Sequence, residues 1–403
     1  MPINLETPRK FRPLVEQAHT VAAEVLRPIS RRYDAPMQHA YPKELDMLAS
    51  LIDGMNDSGG TGGAGAAGVR RTEAGGENRN GSNLSTVLSI MEMCWGDVGL
   101  LLSMPRQGLG NSAIASVADD EQLARFAGKW AAMAITEPEA GSDSASIRTT
   151  AVLDGDEYVL NGEKIYVTAG ERAELVVVWA TLDRARGRAA IKSFVVERSN
   201  PGMKLIRLED KLGIRASDTA AFSLEDCRVP KENLLGSPDI DSKQGFAGAM
   251  QTFDNTRPLV AAMAVGLTRA CLEETRDQLA KAGIELDADR PVALQPAAAA
   301  ELLDMEADYE AARLLTMSAA WMADNGRPNS LQASLAKAKA GRTCVDVALR
   351  CVALCGATGY GETLLLEKWA RDAKILDIFE GTQQIQLLII ARQLLGKTSA
   401  ELR

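Results

Sequence analysis

The chain has 403 residues with a net charge of −9, and 46% of its residues are apolar. These values predict a soluble globular protein, and the length predicts two or three domains. The acidic balance argues against nucleic acid as a partner, because phosphate recognition needs a basic surface. No run reaches the ~20 apolar residues that cross a bilayer, and the N-terminal segment lacks the apolar core of a signal peptide. We therefore expect a cytoplasmic protein that does not insert into membranes.

The six cysteines do not form the pattern of a disulfide framework in so long a chain, and only two histidines are present. Cys344, Cys351 and Cys355 share one helical face, but no histidine lies near them in the sequence. We interpret them as thiols packed in the core and expect no metal site.

Apolar residues at helical spacing open the chain, from Leu5 to about Leu51. The same spacing predicts a helix over 84–102, with Ser82 or Asn83 as its N-cap, and another over 121–126. The first third of the chain is therefore expected to be mostly α-helical.

Short strands replace this pattern after residue 130. Strand-type residues flank a turn at Asp154 and Gly155, and LVVVWATL, IKSFVVE and TAAFSLEDCRV indicate further strands. Helices return over 245–281 and are predicted again over 297–325, 331–355 and 383–395. Because strands and helices do not alternate, we expect an α+β fold and not a doubly wound sheet. The predicted domains are an N-terminal α-helical domain (1–130), a middle β domain (131–240) and a C-terminal helical bundle (241–403).

Ten of the 34 glycines fall between Gly54 and Gly81. The run from Gly63 to Gly68 fits the G-x-G-x-x-G pattern of dinucleotide-binding proteins, but its flanks cannot form the strand and helix that this motif needs. We interpret residues 54–81 as a flexible glycine-rich insertion between helices.

Two polar segments are candidates for ligand binding. Residues 135–143 form a loop after a predicted strand, and its backbone N–H groups suit an anionic or carbonyl-rich ligand, although a satisfied turn is an equal interpretation. Tyr166 and Thr168 share one strand face, which could hold a planar cofactor or belong to the core.

Glu380 is a candidate base. It follows the apolar Leu376, Ile378 and Phe379 and precedes a capping Thr382. Apolar surroundings would raise its pKa towards that of a general base, whereas an exposed glutamate here would simply be favoured by the helix dipole. The residues alone leave both interpretations open.

Six segments of the chain resemble the acyl-CoA dehydrogenase family in order and spacing, and the likeness runs from about residue 95 to the C-terminus. The segments are TEPEAGSD (136–143), KIYVTAG (164–170), KLGIRASDTA (211–220), CRVPKENLLG (227–236), FDNTRPLVAAMAVG (253–266) and RDAKILDIFEGTQQIQ (371–386). The resemblance implies the family's fold: N-terminal helices, a middle β-barrel or sandwich domain and a C-terminal four-helix bundle. It also implies FAD between the last two domains and a tetrameric assembly.

The resemblance also assigns roles to residues at matching positions. Glu380 matches the catalytic base, which removes the α-proton of an acyl-CoA thioester while the β-hydride passes to flavin N5, giving a trans-2-enoyl-CoA. Some relatives carry the base where this chain has Thr256. An electron-transferring flavoprotein is the implied electron acceptor. The implied flavin contacts are Met133, Ile135, Thr136, Gly141, Ser142, Tyr166, Thr168, Thr382 and Gln384. The implied acyl-CoA contacts are Ser142, Asp254, Arg257 and Gly381.

Two family motifs that reach the neighbouring subunit's FAD are missing. Residues 282–303 lack Arg-x-x-Phe-Gly, and residues 353–357 read Ala-Leu-Cys-Gly-Ala in place of Gln-x-x-Gly-Gly. We therefore expect either a homotetramer or a heterotetramer with a paralogous acyl-CoA dehydrogenase subunit, a type found in actinobacteria. A flavin-dependent acyl-CoA oxidase or monooxygenase of the same fold, and a stabilising subunit of a heteromeric enzyme, are the alternatives.

Overall fold

A computed structural model describes residues 7–35, 41–49, 80–105, 109–240, 247–287, 289–398 and 401. For residues 247–255 it describes the backbone alone. Most of the glycine-rich segment, including the Gly63–Gly68 pattern, lies outside the described residues, so its interpretation as a flexible insertion stays a prediction.

Helices open the fold, as expected. In chain order they are α1 (Arg12–Val21), which continues through Ala22–Leu26 and Arg27–Ile29, α2 (Ser82–Gly96), α3 (Val98–Ser103), α4 (Leu109–Val117) and α5 (Asp120–Phe126). The prediction of one continuous helix over 84–102 was wrong. Asp97 is extended, and its carboxylate caps α3 by accepting from the N–H of Leu100 at 2.8 Å. The same carboxylate bonds Lys368 at 2.7 Å, so a distant residue stabilises the break.

The N-terminus of α2 also differs from its prediction. The N-cap is Gly81 and not Ser82 or Asn83. Asp324, from the far end of another helix, accepts hydrogen bonds from the N–H groups of Gly81, Asn83 and Leu84 at 2.8, 2.9 and 3.1 Å. The carboxylate of Asp324, which is distant in the sequence, therefore caps the N-terminus of α2 in place of a local side chain.

Seven strands follow and form one curled, mostly antiparallel sheet in the order β1-β4-β2-β3-β7-β6, with β5 paired to β4. The strands are β1 (Ala131–Ala134), β2 (Thr150–Asp154), β3 (Glu157–Thr168), β4 (Leu175–Thr181), β5 (Ile191–Glu197), β6 (Met203–Leu208) and β7 (Thr219–Pro230). The β2–β3 turn is Gly155 and Asp156, one residue later than predicted, and Gly155 takes the positive φ (+64°) that glycine tolerates.

Strand β4 is buried along its whole length. One of its faces packs with Ala113, Ile114 and Phe126 from α4 and α5, and the other joins the sheet's own core around Phe194 and Phe222. Because both faces of β4 pack against other side chains, its sequence, LVVVWAT, is almost continuously apolar. The sheet is thereby fixed against the N-terminal helices.

The C-terminal helices are α6 (Ala247–Lys281), α7 (Ala297–Asp324), α8 (Ser330–Tyr360), α9 (Leu366–Leu376) and α10 (Gln383–Leu395). They share one core with α2. Gly266 of α6 permits a close approach there, since a Cβ at this position would lie 2.2 Å from the carbonyl oxygen of Met91. Cys344 and Cys351 are buried in this core as free thiols, and Cys355 is partly buried. The helical and β regions therefore follow in the predicted α, β, α order.

Helix α8 is, in the described part of the chain, the one helix whose length and apolar composition would suffice to cross a membrane. It packs against α6, α7, α9 and α10. Its side chains Ala336, Lys337 and Val347 are buried against protein. One third of its most apolar 18-residue stretch is buried inside the protein.

A buried ion cluster joins the three regions. Lys368 of α9 lies between the carboxylates of Asp97 and Asp372, and all three side chains are at most 2% exposed. Asp372 also accepts a hydrogen bond from the N–H of Ile214, in the loop between β6 and β7. Helix α9 is thus held against both the N-terminal helices and the sheet, immediately before the loop that carries Glu380.

Candidate active site

Glu380 lies in the short loop between α9 and α10. Its backbone has φ +55°, and Gly381 follows with φ +90°, so two consecutive residues are left-handed. The side-chain amide of Gln386 donates to the carbonyl oxygens of Glu380 at 3.0 Å and Gly381 at 3.2 Å. Thr382 caps α10 by accepting from the N–H of Ile385 at 3.4 Å, which confirms it as the predicted capping residue. Strain of this kind persists only where the surroundings enforce it, and it concentrates at functional sites.

The carboxylate of Glu380 is half-buried among polar groups. The hydroxyl of Thr256 donates to its Oε2 at 2.7 Å. Burial raises the pKa of Glu380, while Thr256 and the charges of Arg257 and Lys337 offset part of this rise. Of the two interpretations that the sequence left open, the direction of this shift favours the buried one. The surroundings are nevertheless not purely apolar, because α6 and α8 supply a hydroxyl and two cations and Ile378 is 44% exposed.

The two candidate ligand-binding segments of the sheet touch each other. Strand β1 ends at Ala134, and the loop that follows accepts a hydrogen bond at Thr136 O from Ile165 N at 2.9 Å. The pairing of β3 with β7 is irregular between Lys164 and Val167, and there Tyr166 has φ +57°. Its side chain is 62% exposed while Val167 is buried. The loop and the end of β3 thus form one continuous surface.

A buried ion pair, which the sequence analysis did not single out, fixes this surface from beneath. Lys164 Nζ lies 2.7 Å from Glu137 Oε1 and 3.2 Å from the carbonyl oxygen of Ile135. Glu137 also accepts from the N–H of Arg148 at 2.6 Å and of Thr149 at 2.9 Å. Burial lowers the pKa of Lys164 to about 8. Burial also opposes the ionisation of Glu137. The charge of Lys164 and the hydrogen bonds to Glu137 outweigh this effect and hold the pKa of Glu137 below its usual value. The inward position of Lys164, in alternation with Tyr158 and Leu160 along β3, was the signal that could have identified it.

The exposed part of this surface fits a flavin. Tyr166 presents an aromatic ring to solvent, and Gly141 and Ser142 are exposed. A Cβ on Gly141 would meet one atom, Thr136 Cγ2, at 4.0 Å, so the space above the loop is open. An open polar loop beside an exposed ring can receive a planar ring system and its hydrogen-bonding edge. The implied FAD therefore has residues that suit it.

The structure places the remaining candidate residues as follows. Met133 in β1 and Ile135 just after it are buried, each 8% exposed, and Thr136 and Thr168 are partly buried. Arg257 is buried in α6 beside Thr256, and Gln384 is exposed in the first turn of α10. The side chain of Asp254 lies outside the described part of the chain, so its predicted contact with acyl-CoA stays a prediction.

Comparisons with known proteins match most of the chain to one family. Residues 132–227 match the family model for the acyl-CoA dehydrogenase middle domain, and residues 243–395 match the model for the acyl-CoA dehydrogenase C-terminal domain. The short-chain specific acyl-CoA dehydrogenase of Clostridium acetobutylicum is 35% identical over 322 residues, which are 77% of this chain and 82% of that enzyme. The mitochondrial short-chain specific enzyme of Mus musculus is 40% identical over 273 residues, 66% of this chain.

The alignment with the mouse enzyme spans 63% of that protein's length, somewhat less than two thirds. The solved structure of butyryl-CoA dehydrogenase from Megasphaera elsdenii matches with a TM-score of 0.81 and 30% identity, covering 98% of this chain and all of that chain. The predicted fold, with N-terminal helices, a curled middle sheet and C-terminal helices, is thereby confirmed. Identity at this level over most of the chain shows that the protein belongs to the acyl-CoA dehydrogenase family of FAD-dependent oxidoreductases.

Proposed function

We propose that this chain converts an acyl-CoA thioester to the trans-2-enoyl-CoA, with Glu380 as the base. The observation that carries the proposal is the setting of the Glu380 carboxylate in the α9–α10 loop. It is half-buried, it accepts from Thr256 at 2.7 Å, and burial raises its pKa. A carboxylate with a raised pKa is matched to proton transfer from a weak acid near neutral pH.

Removal of the α-proton also needs a donor for the thioester carbonyl, because charge develops there as the proton leaves. The backbone N–H of Glu380 suits this role, since it makes no hydrogen bond to another described residue. Gln386 donates to the carbonyl oxygen of the same residue, which contributes to holding the left-handed backbone of the loop. Bound FAD would accept the hydride that leaves the β-carbon.

The sheet surface is proposed to hold FAD. Tyr166 and Thr168 would contact the ring system, with Met133, Ile135 and Thr136 beneath it and Thr382 and Gln384 on the side of α10. Gly141 and Ser142 would offer backbone and hydroxyl donors. The exposure of Tyr166 and the open space above Gly141 support this assignment. For the acyl-CoA we propose Ser142, Asp254, Arg257 and Gly381.

Partners and assembly are also proposals. An electron-transferring flavoprotein would reoxidise the enzyme, as the family resemblance implies, and we propose that this takes place in the cytoplasm. The two missing motifs favour a tetramer that includes a paralogous acyl-CoA dehydrogenase subunit. In the segment of the first motif, residues 282–287 and 289–296 contain one short helical turn at Val292–Leu294, and the residues from Ala297 onwards begin α7. In the segment of the second motif, Gly356 interrupts the helical geometry of α8, with φ +56° and ψ −134°.

The proposed heteromeric assembly is tested by comparing the FAD content of the chain expressed alone with that of the chain expressed with a paralogue. A flavin-saturated, fully active homotetramer would contradict the proposal.

Turnover of an acyl-CoA panel with an artificial electron acceptor tests the activity. Butyryl-CoA is the first substrate to test, because similar enzymes are named for short-chain acyl-CoA or butyryl-CoA. Wild-type holoenzyme should form enoyl-CoA, and Glu380→Gln should form none while it keeps its flavin. Glu362→Gln is the control, since it removes an exposed carboxylate from the same part of the chain. Retained turnover in Glu380→Gln would refute the role of Glu380, and rapid reoxidation in air would favour an oxidase.

A further inference from the structure

Lys337 of α8 is a fully buried lysine that the proposed mechanism does not use. Its exposed fraction is 0%, and it is among the largest fully buried side chains of the described chain. Burying an ammonium group is unfavourable unless opposite charge and hydrogen bonds compensate. The partners of Lys337 therefore indicate what the residue does.

Those partners lie around the base. Lys337 Nζ donates a hydrogen bond to the carbonyl oxygen of Gly381 at 2.6 Å. The charged groups that face it are Asp377 and Glu380, from the α9–α10 loop, and Arg257 from α6. Burial lowers the pKa of Lys337 to about 8, although the two carboxylates oppose this shift. At neutral pH the side chain is accordingly a cation for most of the time.

The hydrogen bond acts on a strained piece of backbone. Glu380 and Gly381 both have positive φ, and the Gly381 carbonyl receives two side-chain donors, Lys337 at 2.6 Å and Gln386 at 3.2 Å. These donors hold the Gly381 carbonyl between α8 and α10. They therefore restrain the backbone next to Glu380.

We propose that Lys337 is a positioning residue for the base: its ammonium group, bonded to the Gly381 carbonyl, holds the Glu380–Gly381 backbone in its left-handed conformation. The inference rests on the proposed role of Glu380. The proposal includes no contact between Lys337 and the substrate. Lys337 affects the reaction by way of the geometry and the charge of Glu380.

Two substitutions separate the charge from the hydrogen bond. Lys337→Met keeps similar length and removes both, whereas Lys337→Gln keeps a shorter neutral donor. Lys339→Met is the matched control, because Lys339 lies on the same helix, pairs with Asp308 and is 33% exposed. Each is prepared as FAD-loaded holoenzyme, with its partner subunit if FAD retention requires one. Anaerobic flavin reduction by butyryl-CoA is then followed across the neutral and mildly alkaline pH range, with thermal unfolding as a folding check.

We expect Lys337→Met to keep its flavin spectrum but to reduce flavin about 10- to 100-fold more slowly, the size expected for a lost charge-assisted hydrogen bond. Its rate profile should also move to higher pH, because a cation near Glu380 is gone. Lys337→Gln should be slowed less and show the same direction of shift, and Lys339→Met should resemble wild type.

A native rate and profile in either folded Lys337 variant would overturn the inference. Loss of folding in both would overturn it too, because Lys337 would then be a structural residue. Inactive wild-type holoenzyme would refute the proposed function itself, and the inference with it. An active wild type beside a fully active Lys337→Met would refute the inference alone.

Discussion

The hydroxyl of Thr256 donates a hydrogen bond to the carboxylate of Glu380, which lies 124 positions further along the chain, with 2.7 Å between Oγ1 and Oε2. This bond joins α6 to the α9–α10 loop. The family resemblance implies that some members carry their base at the position of Thr256, and in the proposed function Thr256 assists Glu380 from that position. Since the bond favours the charged form of Glu380, it keeps the pKa of a half-buried carboxylate from rising further.

Thr256→Val removes this hydrogen bond while it keeps the shape of the side chain. We expect the pKa of Glu380 to rise, because the hydrogen bond from Thr256 favours the ionised carboxylate. At pH values below the pKa of Glu380, flavin reduction should then be slower, by about tenfold for the loss of one hydrogen bond to a charged group. The pH profile of anaerobic flavin reduction measures this.

Thr268→Val is the control for that experiment. Thr268 is buried on the same helix, but its hydroxyl bonds the carbonyl oxygen of Ala264 at 2.7 Å. Loss of the Thr268 hydroxyl should leave the pH profile of flavin reduction unchanged. An equal shift in both variants would show that Thr256 does not act through Glu380.

The raised pKa of Glu380 also predicts how stability depends on pH. A carboxyl whose pKa is higher in the folded state contributes stability below its unfolded pKa of about 4.5, and this contribution is lost as pH rises through the folded pKa. Glu380→Gln cannot ionise, so its stability relative to wild type should increase with pH. Urea unfolding at acidic and neutral pH measures the difference. A difference that is constant with pH would contradict the raised pKa.

The buried pair of Lys164 and Glu137 predicts a large loss of stability when one partner is removed. Lys164→Met leaves a buried carboxylate without its cation, which should cost about 3–5 kcal/mol. It should also weaken FAD retention, because the pair holds the loop beneath the proposed flavin surface. Urea unfolding and flavin release measure the two effects.

An exposed pair on the same sheet provides the comparison. Lys204 and Glu225 are both more than half exposed, so Lys204→Met should cost about 1 kcal/mol or less. The double substitution Lys164→Met with Glu137→Leu should recover part of the stability. Equal losses at the buried and exposed pairs would contradict the account of this loop.

Local signals made several elements predictable from the sequence. Helix α10 occupies the predicted residues 383–395, because a capping Thr382 precedes a long apolar run. Strands β4 and β5 were also predictable, because each is a short run of mostly apolar residues. Strand β6 was missed: one of its six residues, Met203, is buried, so its alternation is too weak to detect.

Features that depend on distant residues could not be predicted. The break at Asp97 involves Lys368, which lies 271 residues further along the chain. The polar setting of Glu380 comes from Thr256 on α6 and Lys337 on α8, and a lysine inside an apolar helix gives no sign of its partner. Physical reasoning from the residues found Glu380 as a candidate, but the groups that tune it became visible through the fold.

The central claim is that Glu380 takes the α-proton. The direct measurement is anaerobic mixing of FAD-loaded enzyme with butyryl-CoA, or another accepted acyl-CoA, while flavin absorbance is recorded for wild type and Glu380→Gln. Our account predicts rapid bleaching in wild type and none in Glu380→Gln, whose resting flavin spectrum should be unchanged. Bleaching of Glu380→Gln at the wild-type rate would contradict it.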